Sequence, residues 1–191
     1  MNDESLIARA RHGDLQAYES LVRQYEQVAF RAAFLITHDR HEAADVVQDA
    51  CLRAYQAIGS FRLEQPFRPW FLRIVTNQAL NHVHAVQRRT RVAERYAQQI
   101  TTEQANHSPE HALAEREQNE RLLQAVTKLS ADEQALIALR YFLELPENEV
   151  AETLQIPLGT VKSRLHRTLT RLREIIQREF PDLIGLTTLD G

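Results

Sequence analysis

The chain has 191 residues, of which 43% are hydrophobic and 26% charged, with a formal net charge of −3 and only five Gly and six Pro. That composition is globular and excludes collagen-like, low-complexity and disordered classes. No window approaches the roughly 18–20 apolar residues of a membrane span. The acidic start (Asp3, Glu4, Asp14) is unlike a secretory signal, and a single cysteine, Cys51, excludes an internal disulfide or a Cys-rich zinc site.

Helical spacing begins at residues 5–11 and pauses at Gly13-Asp14. Leu21, Tyr25, Val28, Ala29, Ala32, Leu35 and Ile36 then recur at helical intervals, up to a break at Thr37-His38-Asp39. A third helix is expected over 41–58, with Val47, Ala50, Cys51, Ala54 and Ile58 as its core face, ending at Gly59-Ser60. Residues 61–69 read as a loop punctuated by Pro66 and Pro69. A fourth helix follows over 70–88, with Phe71, Ile74, Val75, Ala79 and Val83 on its apolar side.

Residues 89–118 have weak periodicity and few large apolar groups, which marks a linker; within it, Pro109-Glu110 suits the start of a helix. Beyond it, Leu122, Leu123, Val126 and Leu129 form a short stripe, and Ser130 with Glu133 is a capping box for the next helix, which carries Leu136, Ile137, Leu139 and Phe142. Two further helices are expected over 147–154 and 158–178, the last stopped by Phe180-Pro181. The tail keeps Leu183, Ile184, Leu186 and Leu189. Period-two alternation is nowhere sustained, so the expected class is all-α.

The near-neutral net charge hides blocks of opposite sign. Residues 3–49 hold nine acids against five Arg, and 61–95 hold seven Arg against two Glu. Residues 103–152 hold eleven acids against four bases, and 158–178 hold six bases against one Glu. Blocks of this kind suit separate partners, nucleic acid for the basic ones and protein for the acidic ones, although patchy solvated helix faces give the same pattern.

The stretch ENEVAETLQIPLGTVKSRLHRTLTRLRE has helix-turn-helix spacing: a helix of about eight residues, a short turn and a longer basic helix. On a wheel, Val161, Leu165, Leu169, Leu172 and Ile176 share one sector, and Thr160, Arg164, Arg167 and Arg171 another. One face packs; the other is cationic and begins with a hydroxyl, as a major-groove reader requires. On the third helix, Asp45, Gln48, Asp49, Leu52 and Gln56 share the sector opposite the core face. An apolar residue ringed by carboxylates and amides suits a small protein-docking patch, and an isolated exposed leucine is also common. In the 61–89 segment Phe61, Arg62, Phe67, Arg68, Trp70, Phe71 and Arg73 interleave aromatic and cationic groups, followed by Asn77, Gln78, Asn81 and His82. This is the chemistry that stacks and hydrogen-bonds single-stranded bases. Core packing is the alternative for Phe67, Trp70 and Phe71, and for Trp70 and Phe71 it is at least as good a reading; Asn77 and Asn81, four apart, suit a core less well.

DVVQDACLRAYQAI, FRPWFLRIVTNQALN and LPENEVAETLQIPLGTVKSRLHRTLTRLRE, in that order and spacing, resemble the extracytoplasmic-function (ECF) group of bacterial sigma factors over about residues 14–174. The resemblance implies two small helical domains: a sigma2-like bundle over 1–90 and a sigma4-like helix-turn-helix domain over 119–178, joined by a flexible linker over 91–118 and followed by a tail over 179–191. It implies a non-enzymatic, cytoplasmic protein that needs no cofactor or metal, binds core RNA polymerase and directs it to promoter DNA. Carried over by position, Asp45, Gln48, Asp49 and Leu52 would dock on the polymerase. Phe61, Arg62, Phe67, Trp70, Arg73, Asn77 and Asn81 would serve the minus-ten element and its melted strand. Thr160, Lys162, Ser163, Arg164, Arg167 and Arg171 would serve the minus-thirty-five duplex. An anti-sigma protein is the expected inhibitor. The chain departs from the family in three helix-turn-helix positions: Pro146 stands where Ser or Thr is usual, and Glu144 and Gln155 where Gly is frequent.

A conventional dimeric helix-turn-helix regulator is the alternative. A metal enzyme has only the His82/His84 and His38/His41 pairs in its favour, and residues two apart on a helix diverge. The acidic linker and apolar tail would also allow a closed form of the free chain that hides both basic faces.

Overall fold

The computed structural model describes residues 3–96 and 113–186, and side chains within 3–90 and 120–183. Regular structure among them is helical throughout. Helices α1 (Asp3–Arg11), α2 (Leu15–Thr37), α3 (Arg40–Ala57) and α4 (Phe67–Tyr96) form a first unit. Helices α5 (Leu113–Thr127), α6 (Ala131–Ile137), α7 (Glu147–Leu154) and α8 (Leu158–Glu179) form a second.

Local chemistry sets most boundaries. Gly13 adopts φ 88°, and Asp14 then caps α2 by accepting from the Ala17 amide at 3.0 Å. That backbone amide, with the Arg9 side chain, holds the Asp14 carboxyl below its ordinary value. At the break before α3, His38 takes a left-handed conformation at φ 58°, while Asp39 accepts from the His41 and Glu42 amides at 2.7 and 2.9 Å. Those amides depress the Asp39 carboxyl in the same way, the Glu42 amide foremost.

The expected loop over 61–69 is shorter than its prolines suggest, because α4 begins at Phe67. Pro69 lies in the first turn of α4, where the missing N–H costs no helical hydrogen bond. The helix also runs on to Tyr96, and α5 is already formed at Leu113, so helix occupies both ends of the stretch read as linker. The expected start at Pro109-Glu110 lies outside the described residues.

The first unit closes around Leu21, Ile36, Phe71, Leu72 and Val75, all essentially without solvent exposure. Small residues (Ala29, Ala32, Ala33, Ala43, Ala50, Ala54) bring α2 and α3 close. Aromatic rings join its open end: Phe67 stacks on Phe71 at 5.7 Å, and Phe61 meets Trp70 edge-on at 5.0 Å.

In the second unit, α6 is capped as expected, with the Ser130 amide and hydroxyl donating to Glu133 Oε2 at 2.9 and 2.7 Å. It runs into a π-turn over Ala138–Phe142. The apolar tail begins to pack at once: Phe180 and Leu183, in and before a 3-10 turn over Pro181–Leu186, are buried against Ala125, Val126 and Leu129 of α5 and its end. Arg121 locks this corner, its guanidinium over the Phe180 ring and paired with Asp182. The rest of the expected tail, 187–191, lies outside the described residues.

Candidate nucleic-acid and polymerase interface

Helix α8 carries the clearest interface chemistry. It follows α7 after the turn Gln155-Ile156-Pro157, and Gln155 reverses the chain in a left-handed conformation, φ 54° and ψ 43°. The Ile156 amide then bonds back to the Ala151 carbonyl at 3.1 Å, closing the end of α7. Pro146 opens α7 without a side-chain cap.

The packed face of α8 differs from the wheel reading. Val161, Leu165, Thr168, Leu172 and Ile175 are buried, while Leu169 is 36% exposed and Ile176 half-buried. The buried stripe steps four and three alternately, a narrow seam that drifts by only about 20° per heptad around the helix. The sector drawn through Leu169 and Ile176 missed this because it excluded Thr168, a polar residue buried to 2% exposure.

Lys162, Ser163, Arg164, Arg167 and Arg171 are all exposed, and Thr160 is half-buried at the helix start. Two of the cations have acidic neighbours: Lys162 Nζ lies 3.8 Å from Glu147, and Arg171 Nη1 3.2 Å from Glu133. Burial pushes the Glu133 carboxyl up, but the hydrogen bonds from Ser130 and the charge of Arg171 outweigh it and leave it below its ordinary value. Arg164 and Arg167 have no acid within 4 Å among the described residues, and Arg167 Nε donates to the Ser163 carbonyl at 3.3 Å.

On α3, Asp45, Gln48, Asp49 and Leu52 are exposed together, with Leu52 at 58%, while Val46, Val47, Ala50 and Ala54 turn inward. Next to this face an apolar groove of about 740 Å³ runs between α2 and α3, past Tyr18, Val22, Phe30, Val47 and Cys51. The sequence pattern did not point to it, because it arises between two helices. Tyr18 donates to the Cys51 carbonyl, and burial raises its phenol; burial also pushes the Cys51 thiol up.

The residues expected to meet melted DNA fall into three groups. Phe61 and Phe67 are buried, each 3% exposed, and serve as core rings. Trp70 and Arg73 are half-buried at the edge of α4. Arg62, Asn77 and Asn81 are exposed. The aromatic and amide spacing in the sequence does not separate these groups, because burial here depends on the rings covering one another and on Tyr25 of α2, which meets Phe67 at 5.3 Å. Of the histidines weighed as ligands, His38 bonds Gln134, His82 pairs with Glu42 and His84 with Asp132.

The described residues thus form a helical chain with an exposed acidic and apolar face on α3 and a basic helix-turn-helix at α7–α8. Residues 21–90 match the sigma-70 region 2 family and residues 119–172 the sigma-70 region 4 family. The RNA polymerase sigma-H factor of Pseudomonas aeruginosa is 32% identical over 181 residues, covering 92% of this chain and 94% of that one. The ECF RNA polymerase sigma factor SigW of Bacillus subtilis is 30% identical over 186 residues, covering 93% and 96%. Among solved structures, CnrH in complex with the cytosolic domain of CnrY aligns with a TM-score of 0.66 at 23% identity, covering 93% and 98%. The sigma factor RpoE in complex with the anti-sigma factor NepR from Bartonella quintana aligns at 0.60 and 20%, covering 84% and 99%; these two likenesses show the fold. The chain belongs to the ECF group of sigma-70 family RNA polymerase sigma factors.

Proposed function

We propose that this sigma factor docks on core polymerase through Asp45, Gln48, Asp49 and Leu52 of α3 and reads a promoter with two separate surfaces. Thr160, Lys162, Ser163, Arg164 and Arg167 enter the major groove of the minus-thirty-five duplex, with Arg171 at the flanking phosphates. Arg62, Trp70, Arg73, Asn77 and Asn81 hold the melted minus-ten strand. Phe61 and Phe67 support that surface from beneath. The observation that carries the reading is α8 itself: a buried seam on one side and, on the other, Arg164 and Arg167 exposed, in no ion pair within 4 Å among the described residues, at the rim of a cleft that also holds Asp132 and Glu133.

DNA opening on this reading needs no hydrolysis. A surface that binds only the separated strand shifts the duplex–melted equilibrium by its differential affinity. The solved relatives in complex with NepR and with the cytosolic domain of CnrY support an inhibitory protein partner here too.

The test is retention of purified core polymerase by the immobilised chain, followed by run-off transcription. Wild type is expected to retain polymerase, and Asp45→Arg with Gln48→Ala to lose it. Equal retention by the two would refute the docking face.

A further inference from the structure

Helix α6 is anchored on several sides. It packs on α2 and α4 of the first unit and on α8, and α7 packs on α4 beside it. Leu136, Leu139, Leu145 and Val150 belong to the same continuous apolar cluster as Phe71 and Leu72 of the first unit. A separate cluster joins α5, the end of α8 and the tail turn, so the apolar interior of the second unit is split. The start of α6 is thereby a fixed platform beside the middle of α8.

Glu133 stands on that platform. Its Oε2 accepts from the Ser130 amide at 2.9 Å and from the Ser130 hydroxyl at 2.7 Å. The same carboxylate receives Arg171 Nη1 from across the gap to α8, at 3.3 Å on Oε1 and 3.2 Å on Oε2. Burial raises the carboxyl, but the Ser130 hydrogen bonds and the Arg171 charge outweigh it, so the group is ionised at neutral pH. Its neighbour Asp132 faces His84 of α4 instead, at 3.7 Å.

Two features give this pair a direction. The Glu133 side chain is 23% exposed and that of Arg171 56%, so the carboxylate lies beneath the guanidinium and a ligand arriving from solvent meets the guanidinium first. The contact uses Nη1, and a guanidinium is a planar fork of five donors, so Nη2 and Nε are left for a ligand. Arg167, one turn earlier, is held in a comparable way, through Nε on the Ser163 carbonyl at 3.3 Å.

We infer that Glu133 is a positioning residue for DNA binding: it holds the Arg171 guanidinium at a fixed height and angle for a backbone phosphate of the duplex. The inference rests on the reading of α8 as the duplex-facing helix given above. A long side chain fixed before binding has less rotamer freedom to lose when the phosphate arrives. Charge alone argues the opposite way, since an acid near a phosphate repels it and its removal tightens binding. The sign of the effect therefore separates orientation from plain charge. Glu174 supplies the control. It is exposed, lines a cleft of about 320 Å³ together with Arg171, and is in no ion pair within 4 Å among the described residues.

The test titrates the full chain into a fluorescent pool of short random-sequence duplexes over a range of salt. A phosphate contact carries no base information, so a random pool reports it. Glutamine at 133 keeps the capping-box acceptor. Glu133→Gln is expected to bind about three- to tenfold more weakly, the penalty of immobilising one rotamer-rich side chain at the moment of binding. Arg171→Ala should also bind more weakly and lower the salt slope by about 0.9. The double variant should be no weaker than Arg171→Ala alone, because Glu133 acts through Arg171. Glu174→Gln should bind at least as tightly as wild type. Ser130→Ala, which keeps both charges and loosens only the carboxylate, gives the same answer if Glu133→Gln does not fold: weaker binding supports the positioning role and unchanged binding overturns it. Glu133→Gln binding as tightly as wild type or more so, or losses that add in the double variant, would overturn the positioning role and leave the duplex face standing. No measurable binding by wild type at low salt, or an unchanged slope in Arg171→Ala, would instead overturn the reading of that face, and the positioning role with it.

Discussion

Replacing Gln155 with glycine is expected to stabilise the chain. Gln155 sits at φ 54°, ψ 43°, where a side chain's Cβ crowds the following carbonyl at a cost of about 1–2 kcal/mol. Glycine removes that cost but gives up about 0.5–1 kcal/mol through the greater freedom of the unfolded chain. The difference of the two runs from about 0 to about 1.5 kcal/mol and centres on about 0.7 kcal/mol, or about 1–3 °C in melting temperature for a chain of this size. The bond from the Ile156 amide to the Ala151 carbonyl is backbone and survives the change. Gln155→Ala, which keeps the Cβ, serves as the control and should show no gain. Urea and thermal unfolding of the three proteins make the measurement. A glycine variant no more stable than wild type, or an alanine variant matching it, would refute the backbone argument. His38, also left-handed at φ 58°, should behave differently, because its ring bonds Gln134 and glycine would lose that bond.

Three further outcomes are expected. Arg164→Ala and Arg167→Ala should each lower the salt-dependence slope of duplex binding by about 0.9, and an unchanged slope would exclude them as phosphate contacts. Phe71→Ala empties a fully buried site stacked on Phe67 and should cost about 3–5 kcal/mol in urea unfolding; a loss below about 1 kcal/mol would contradict the packing. The Glu133 carboxyl is depressed below its ordinary 4.5, so its stabilisation is present above that value and is lost as pH falls through the lower folded one. The melting-temperature gap between wild type and Glu133→Gln should accordingly close on acidification, and a gap independent of pH would count against the Ser130 and Arg171 contacts.

What was legible in the sequence was local. Asp14, Asp39 and the Ser130/Glu133 pair mark helix starts because a cap is made within three residues, and the helix-turn-helix shows in its spacing. The exposed sector of α3 also follows from periodicity, since Asp45, Gln48, Asp49 and Leu52 are all exposed. What periodicity missed depended on distant chain. Phe61 and Phe67 look like stacking residues until Tyr25 of α2 and the Trp70 ring close over them. Thr168 reads as polar until α6 packs on it. Phe180 and Leu183 read as a loose tail, although α5 is waiting for them 50 or more residues upstream. Nor does any periodic signal announce that α7 lies on α4.

The divided interior of the second unit has a consequence for cooperativity. With half of its apolar core continuous with the first unit, the chain should melt as a single body, and a first event at either end should be felt at the other. Excising residues 113–186 would leave Leu136, Leu139 and Leu145 without the helices that complete their cover. Such a fragment should be less stable than its helix content suggests and prone to self-association. Any separation of the units would expose the apolar face made by Leu136, Leu139, Leu145 and Val150 to water, at a cost set by that buried area.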